Sequence, residues 1–206
     1  GEIMTDFYLK QVELGPMENF VYFVGSKDTR EVFVVDPAWQ ADTILRVAKE
    51  EGLKIIGALI SHYHFDHTNG IEELLESVQV PVYVNKKDLD YMVVSKDVLK
   101  PIDAGTKVKA GDVEIEMIHT PGHTPGSQCF HVRGHLISGD TLFINACGRT
   151  DLPGGSAKEL YHSLTKTLMK MDDSTILCPG HNYADKPTAT MGDQKKHNPY
   201  LMCASL

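Results

Sequence analysis

Seven side chains in this sequence can do metal chemistry, and their spacing suggests how. Ser61-His62-Tyr63-His64-Phe65-Asp66-His67 brings three imidazoles and a carboxylate into one short segment. In an extended chain His62 and His64 fall on the same side, so both can reach one ion. Asp66 and His67 follow where the chain turns, and aim at a second point nearby. Three further candidates lie far apart: His123 in Thr120-Pro121-Gly122-His123-Thr124-Pro125-Gly126, Asp140 in Ser138-Gly139-Asp140, and His181 in Pro179-Gly180-His181. Each sits beside glycine, which lets the backbone approach a site closely. The Pro and Gly residues around His123 also fix a rigid loop. Imidazole with carboxylate suits zinc, iron or manganese. A chance cluster on a surface loop is a poor account of H-x-H-x-D-H. Any one of the three distant residues alone would more often be structural; together they are expected to converge. His119, His131, His135, His162 and His197 belong to no such motif.

Convergence requires strand ends to deliver these residues. Strands are expected near 7–14, 20–24 and 31–35, in β-branched or aromatic-rich runs bounded by Gly, Asp or Pro. A helix over 40–52 carries Ile44, Val47 and Ala48 on one face and stops at Gly52. A short buried strand, 54–60, leads into the histidine motif. Ile71, Leu74, Leu75 and Val78 then predict a helix over 68–78, followed by a strand at 82–84 and a short helix around 86–93. The second half predicts strands at 107–109, 113–118, 127–132 and 135–138. A helix follows over 156–171, with Leu160, Leu164, Leu168 and Met171 along one side, and then a strand at 174–178. The tail from 188 reads as a short helix ending before Pro199. His123, Asp140 and His181 each follow an apolar strand. Two face-to-face sheets with helices outside are implied: one α/β domain of four layers spanning 1–206.

Composition narrows the partners. The 206 residues suffice for a sizeable core, and 42% hydrophobic with 23% charged is ordinary for a globular protein. A net charge of −8 argues against nucleic acid, which needs a basic face. No apolar run is long enough to span a bilayer and no signal-type leader is visible, so a cytoplasmic location and no membrane partner are expected. Gly1-Glu2-Ile3 ahead of Met4 reads as a cloning remnant. Cys129, Cys147, Cys178 and Cys203 form no C-x-x-C pair and are expected to be mostly buried, unpaired thiols.

From Asp36 to His181 the chain resembles the metallo-β-lactamase superfamily, with all of that family's motif positions in order. The resemblance implies a four-layer αββα sandwich with its site at the strand ends. It places His62, His64 and His123 around one ion, Asp66, His67 and His181 around a second, and Asp140 between them. The cofactor implied is two divalent metal ions, zinc foremost, with iron or manganese as alternatives. Asp36, in Val35-Asp36-Pro37, matches the family's first motif and is expected to order nearby loops. His64 stands where oxygen- or nitric-oxide-reducing diiron relatives carry Glu, which lowers that option.

Within the superfamily the chain is similar to the glyoxalase II group and to the persulfide dioxygenases. Phe143-Ile144-Asn145-Ala146-Cys147-Gly148-Arg149-Thr150-Asp151 forms a loop over the site in both, and Leu160-Tyr161-His162-Ser163-Leu164 continues in their style. The Cys147-Gly148-Arg149-Thr150-Asp151 wording leans towards the dioxygenases. Pro179-Gly180-His181-Asn182-Tyr183 is shared in kind with glyoxalase II, whose aromatic residue after the His helps hold glutathione. His197-Asn198-Pro199-Tyr200-Leu201 resembles the tail of short bacterial members. Glyoxalase II continues into a C-terminal helical domain that binds glutathione; this chain, ending at Leu206, is expected to lack it.

Two chemistries compete. As a thioesterase, two ions would lower the pKa of a shared, bridging water, so that hydroxide attacks a thioester carbonyl. One metal would stabilise the oxyanion and Asp66 would orient the water. As a dioxygenase, one Fe(II) held by two His and a carboxylate, such as His62, His123 and Asp140, would bind oxygen and a persulfide. Completeness of both ligand sets puts the hydrolase first. Lactonase or weak β-lactamase activity is a further option, since fold does not fix function. Arg149, with a planar fork suited to a carboxylate, and Tyr183, two residues after His181, are the substrate-binding candidates. The sequence names neither the acyl group nor an oligomeric state.

Overall fold

A computed structural model describes residues 6–204; the three leading residues read as a remnant lie outside the described chain. The first half forms a six-stranded sheet in the order β1 (Tyr8–Leu14), β2 (Asn19–Gly25), β3 (Glu31–Val35), β4 (Lys54–Leu59), β5 (Val82–Asn85), β6 (Leu99–Ile102). Its first three strands pair antiparallel and β3 to β6 pair parallel. Between β3 and β5 lie α1 (Ala41–Glu50), α2 (Phe65–Thr68) and α3 (Ile71–Ser77). The second half builds another six-stranded sheet from β7 (Lys107–Ala110), β8 (Val113–His119), β9 (Gln128–Val132), β10 (His135–Gly139), β13 (Ile176–Pro179) and β14 (Ala189–Thr190). A two-stranded ribbon joins β11 (Leu142–Phe143) to β12 (Ala146–Cys147), and α4 (Ala157–His162), α5 (Met191–His197) and α6 (Pro199–Ala204) complete the outside.

Alternation along the strands explains the layering. Strand β2 is buried at every position because its two faces enter different cores. Phe20, Tyr22 and Val24 face the other sheet, meeting Ile115, Met117, Phe130 and Ile137. Val21 and Phe23 face outward onto Ala41, Ile44 and Ala48 of α1 and Leu74 of α3. In the second sheet Cys129, Leu136 and Leu177 point the opposite way, onto Leu160, Leu164, Leu168 and Leu201. Buried on both faces, such strands read as apolar runs, and the result is the expected four-layer αββα sandwich. Among the described residues no helix is long and apolar enough to cross a membrane.

Three expectations need correction. The helix expected over 68–78 is two short helices broken at Asn69-Gly70, because the chain must turn there. Gly70 N–H donates to Pro37 O at 3.2 Å and Asn69 Oδ1 accepts from Trp39 N–H, so the break clamps the segment against the end of β3. The helix expected over 156–171 is α-helical only to His162, then winds through π-type turns to Thr167 and a 3₁₀ turn over 168–170. The tail does not end before Pro199. It includes β14, and α6 begins at Pro199, where proline's missing N–H costs nothing. Strand β6 was not foreseen; its Pro101 is tolerated because β6 is a sheet edge.

Phe130 lies fully buried between the sheets. We predict that Phe130→Ala lowers stability by about 3–5 kcal/mol in urea unfolding. A loss below about 1 kcal/mol would mean that the inter-sheet face is not a close-packed core.

Candidate metal centre

The topology brings the candidates to one edge. Strands β3 and β4 run parallel, so Asp36 and the histidine motif emerge side by side. Strands β8 and β9 are antiparallel, as are β9 and β10, which makes β8 and β10 codirectional; β13 is parallel to β10. The loop carrying His123, and Asp140 and His181, therefore all leave the C-terminal end of their strands at one sheet edge. Bonds between the sheets close this end: Gln128 N–H to Ser61 O at 2.9 Å, Gln128 Nε2 to Ile60 O at 2.8 Å, and Phe20 N–H to Gly180 O at 2.9 Å. Gly180 is required by close approach, since a Cβ there would fall 2.6 Å from Asp140 Oδ1.

Side chains gather in two groups. His62, His64 and His123 each offer a nitrogen, all within 4.8 Å of one another; beside them His67 and His181 each offer a nitrogen and Asp66 and Asp140 an oxygen, within the same distance of one another. Asp140 reaches both groups, with Oδ2 at 3.6 Å from His62 Nε2 and from His123 Nε2, and at 3.3 Å from His181 Nε2. The Nε2 atoms of His62, His64 and His123 are buried and have no hydrogen-bond partner among the described residues. Buried polar atoms are normally satisfied, so three inward-facing lone pairs fit a cation.

Outer hydrogen bonds aim the rings. His123 Nδ1 donates to Arg149 O at 2.7 Å and His181 Nδ1 to Met17 O at 2.9 Å; carbonyls only accept, so each Nε2 is left facing inward. Asp36 is buried and serves two rings. Its Oδ2 accepts from His67 Nδ1 at 2.8 Å and from Ser61 Oγ at 2.6 Å. With its proton committed to Asp36, Ser61 Oγ accepts from His62 Nδ1 at 2.8 Å. Ser61 N–H also donates to Asp36 Oδ1 at 2.7 Å. Asp66 Oδ2 lies 3.2 Å from both His67 Nε2 and His181 Nε2, and accepts from Asn19 Nδ2 at 3.0 Å.

The two groups differ in protonation. Burial, reinforced by neighbouring imidazoles, holds His62 well below the usual histidine range and His64 down at about 4. Burial pushes His67 and His181 the same way, but the carboxylates around them outweigh it, raising His67 well above its ordinary value and His181 to about 9. Burial alone would raise Asp140 and Asp66; the surrounding histidines prevail and hold both well below the normal carboxylate range.

The centre opens into a cavity of about 220 Å³ lined also by Met17, Phe143, Leu152, Arg149 and Tyr183. A larger groove of about 500 Å³ lies across the Gly148-Arg149 loop and contains none of the seven candidates. Tyr183 stacks on His181 with centroids 4.5 Å apart and planes at 7°. The Arg149 fork is engaged by Asp151, Nε to Oδ1 at 2.6 Å and Nη2 to Oδ2 at 2.8 Å, so a substrate carboxylate would have to displace Asp151. Its backbone carbonyl, which orients His123, was not anticipated. Nor were Asn19 and the hydroxyl of Ser61, because isolated Asn and Ser residues carry no pattern that reveals a distant partner. Cys129 and Cys178 are buried thiols raised by burial to about 11 and about 12, whereas Cys203 is exposed.

Residues 14–181 match the metallo-beta-lactamase superfamily, and the chain belongs to that family. It is 30% identical over 183 residues to the probable polyketide biosynthesis zinc-dependent hydrolase BaeB of Bacillus velezensis, covering 89% of this chain and 81% of that protein. ETHE1 from Myxococcus xanthus superposes with a TM-score of 0.84 at 28% identity, over 93% of this chain and 83% of that one. A di-iron-bound form of TTHA1623 gives 0.81 at 28% identity, over 93% of this chain and all (100%) of that one. Fold and relatives define a member of the metal-dependent hydrolase superfamily, with ETHE1 among its structural neighbours.

Ligands must be deprotonated to bind metal. His62 and His64 are already neutral at pH 7, whereas His67 and His181 are protonated and must each lose a proton. We predict that filling the four-residue group releases about two protons, and that its zinc affinity climbs as pH rises from 6.5 towards 9. His62 and His64, neutral beforehand, release no proton when the three-histidine group fills. Calorimetric titration of metal-free protein in buffers of different ionisation heat measures this; equal proton release in both events would contradict it.

Proposed function

We propose that this chain hydrolyses small thioesters, glutathione-linked ones included, using two divalent metal ions. His62, His64 and His123 would hold one ion and Asp66, His67 and His181 the other, with Asp140 serving both. The reading rests on one observation above all: two donor groups, each buried or half-buried throughout, that share a carboxylate. Ions bound there would supply a hydroxide nucleophile near neutral pH and a Lewis acid for the carbonyl oxygen.

Leaving-group chemistry supports a thioester. Asp66 and Asp140 are held ionised, His62 and His64 are neutral, and His67 and His181 would give up their protons on binding metal, so none of these six would donate a proton near pH 7. An amine leaving group needs such an acid; a thiolate does not. Asp66, fixed by Asn19, would orient the attacking water. Met17, Phe143, Leu152 and Tyr183 would hold the acyl part away from bulk solvent. Zinc is favoured by a relative named as a zinc-dependent hydrolase. A second reading, a mononuclear Fe(II) persulfide dioxygenase, is favoured by Cys147-Gly148-Arg149-Thr150-Asp151 but leaves Asp66, His67 and His181 unused.

Metal analysis of protein purified without added metal, with thioester hydrolysis and persulfide-dependent oxygen uptake assayed in parallel, separates the two. We expect two ions per chain and thioester turnover. One iron per chain with oxygen uptake and no hydrolysis would overturn the proposal. Asp140→Ala is expected to lose both ions, and Asp66→Asn to fold while losing turnover by about a hundredfold or more. Arg149→Ala is expected to raise KM for a glutathione thioester about tenfold with kcat kept, the mark of lost uniform binding. A small uncharged thioester should be unaffected; equal damage to both substrates would remove Arg149 from carrier recognition.

A further inference from the structure

Asp88 lies outside every motif above, yet it is completely buried. It sits in the 3₁₀ turn Lys86–Tyr91 that follows β5, the strand pairing in parallel with β4. That neighbouring strand therefore delivers Asp88 to the same edge as the histidine motif. Oδ2 accepts from Tyr63 N–H at 2.9 Å and from Thr124 Oγ1–H at 2.8 Å; Oδ1 accepts from Gly126 N–H at 2.6 Å. Tyr63 is the residue between His62 and His64, and Thr124 and Gly126 directly follow His123. Among the described residues no cation lies within ion-pair distance of the carboxylate, so these three donors are what satisfy it. Gly126 fits only because it lacks a Cβ, which would fall 2.6 Å from Asp88 N and 2.8 Å from its carboxyl carbon.

We propose that Asp88 is a positioning residue for the three-histidine half of the centre, clasping the His62–His64 segment and the His123 loop at one carboxylate. The inference rests on the two-group metal reading above. All three ligands of that half lie on the two segments Asp88 joins. The other half is set by different contacts: Asp36 on His67, Met17 O on His181, and Asn19 on Asp66. Asp88 touches neither group directly, so its loss acts on how closely three Nε2 atoms are gathered. An asparagine would keep the shape but turn an N–H₂ towards at least one of three N–H or O–H donors.

Zinc affinity measured by competition with a chromophoric chelator tests this in two backgrounds. His181→Ala leaves only the three-histidine group complete, and His123→Ala only the four-residue group. We expect Asp88→Asn to weaken zinc binding about ten- to a hundredfold in the first background, the scale for lost supporting contacts, and to leave the second unchanged. Thr124→Val should give a smaller loss with the same selectivity, and Thr124→Ser, which keeps the hydroxyl, should restore affinity. Equal loss in both backgrounds, or none in either, overturns the proposal. If Asp88→Asn fails to fold by circular dichroism, the Thr124 pair decides by the same criteria. Zinc binding by neither background protein would instead overturn the metal reading, and the role of Asp88 with it.

Discussion

Five imidazoles and two carboxylates face one another in a space closed to water on most sides, and the structure is organised around keeping them there. Left unpaired, each buried polar atom costs about 1–3 kcal/mol, and the imidazoles repel one another when charged. Hydrogen bonds made behind the rings oppose their dispersal. Asp36 carries the largest share, because one carboxylate orients His67 directly and His62 through Ser61. It does so from a left-handed backbone conformation, φ 52°, at the end of β3. That conformation is uncommon for a residue other than glycine and persists where the surroundings fix it, here through three hydrogen bonds to its side chain.

The same edge explains why two sheets are needed. A single strand end can present two or three ligands before its chain must turn away. Parallel pairing of β3 with β4 and of β10 with β13 multiplies the ends available on one side. The facing sheets then bring His62 within reach of Asp140, 3.6 Å away, across the sandwich. Core packing between Phe20, Tyr22, Phe130 and Ile137 sets the separation that makes this distance repeatable. Stability and ligand geometry thus share one cause.

Electrostatic division of the site follows from where the carboxylates fall. Asp66 and Asp140 crowd His67 and His181, whereas His62, His64 and His123 meet mostly one another. Carboxylates therefore hold His67 and His181 towards their protonated forms, while burial holds His62 and His64 towards their neutral ones. The buried Phe143 lines the cavity beside both groups and lowers the local dielectric, a setting in which such differences grow.

The sequence alone brought out the seven candidate residues and the order of layers. H-x-H-x-D-H, three Gly-flanked residues after apolar strands, and apolar runs of strand length are local patterns, legible without a partner. The break at Asn69-Gly70 and the helix starting at Pro199 were missed because each depends on what packs beside it: Pro37 and Trp39 for the first, and Asn198 donating to Phe143 O and Ala146 O for the second. Only the tertiary structure decided which atoms stand behind the ligands. Asn19 meets Asp66 from 47 residues away, Asp88 joins loops 25 and 36 residues distant, and the Arg149 backbone aims His123 while its side chain turns to Asp151. These partners are single residues with no periodicity. Their identity is set by the register of strands on separate sheets, a relation no local stretch of sequence contains.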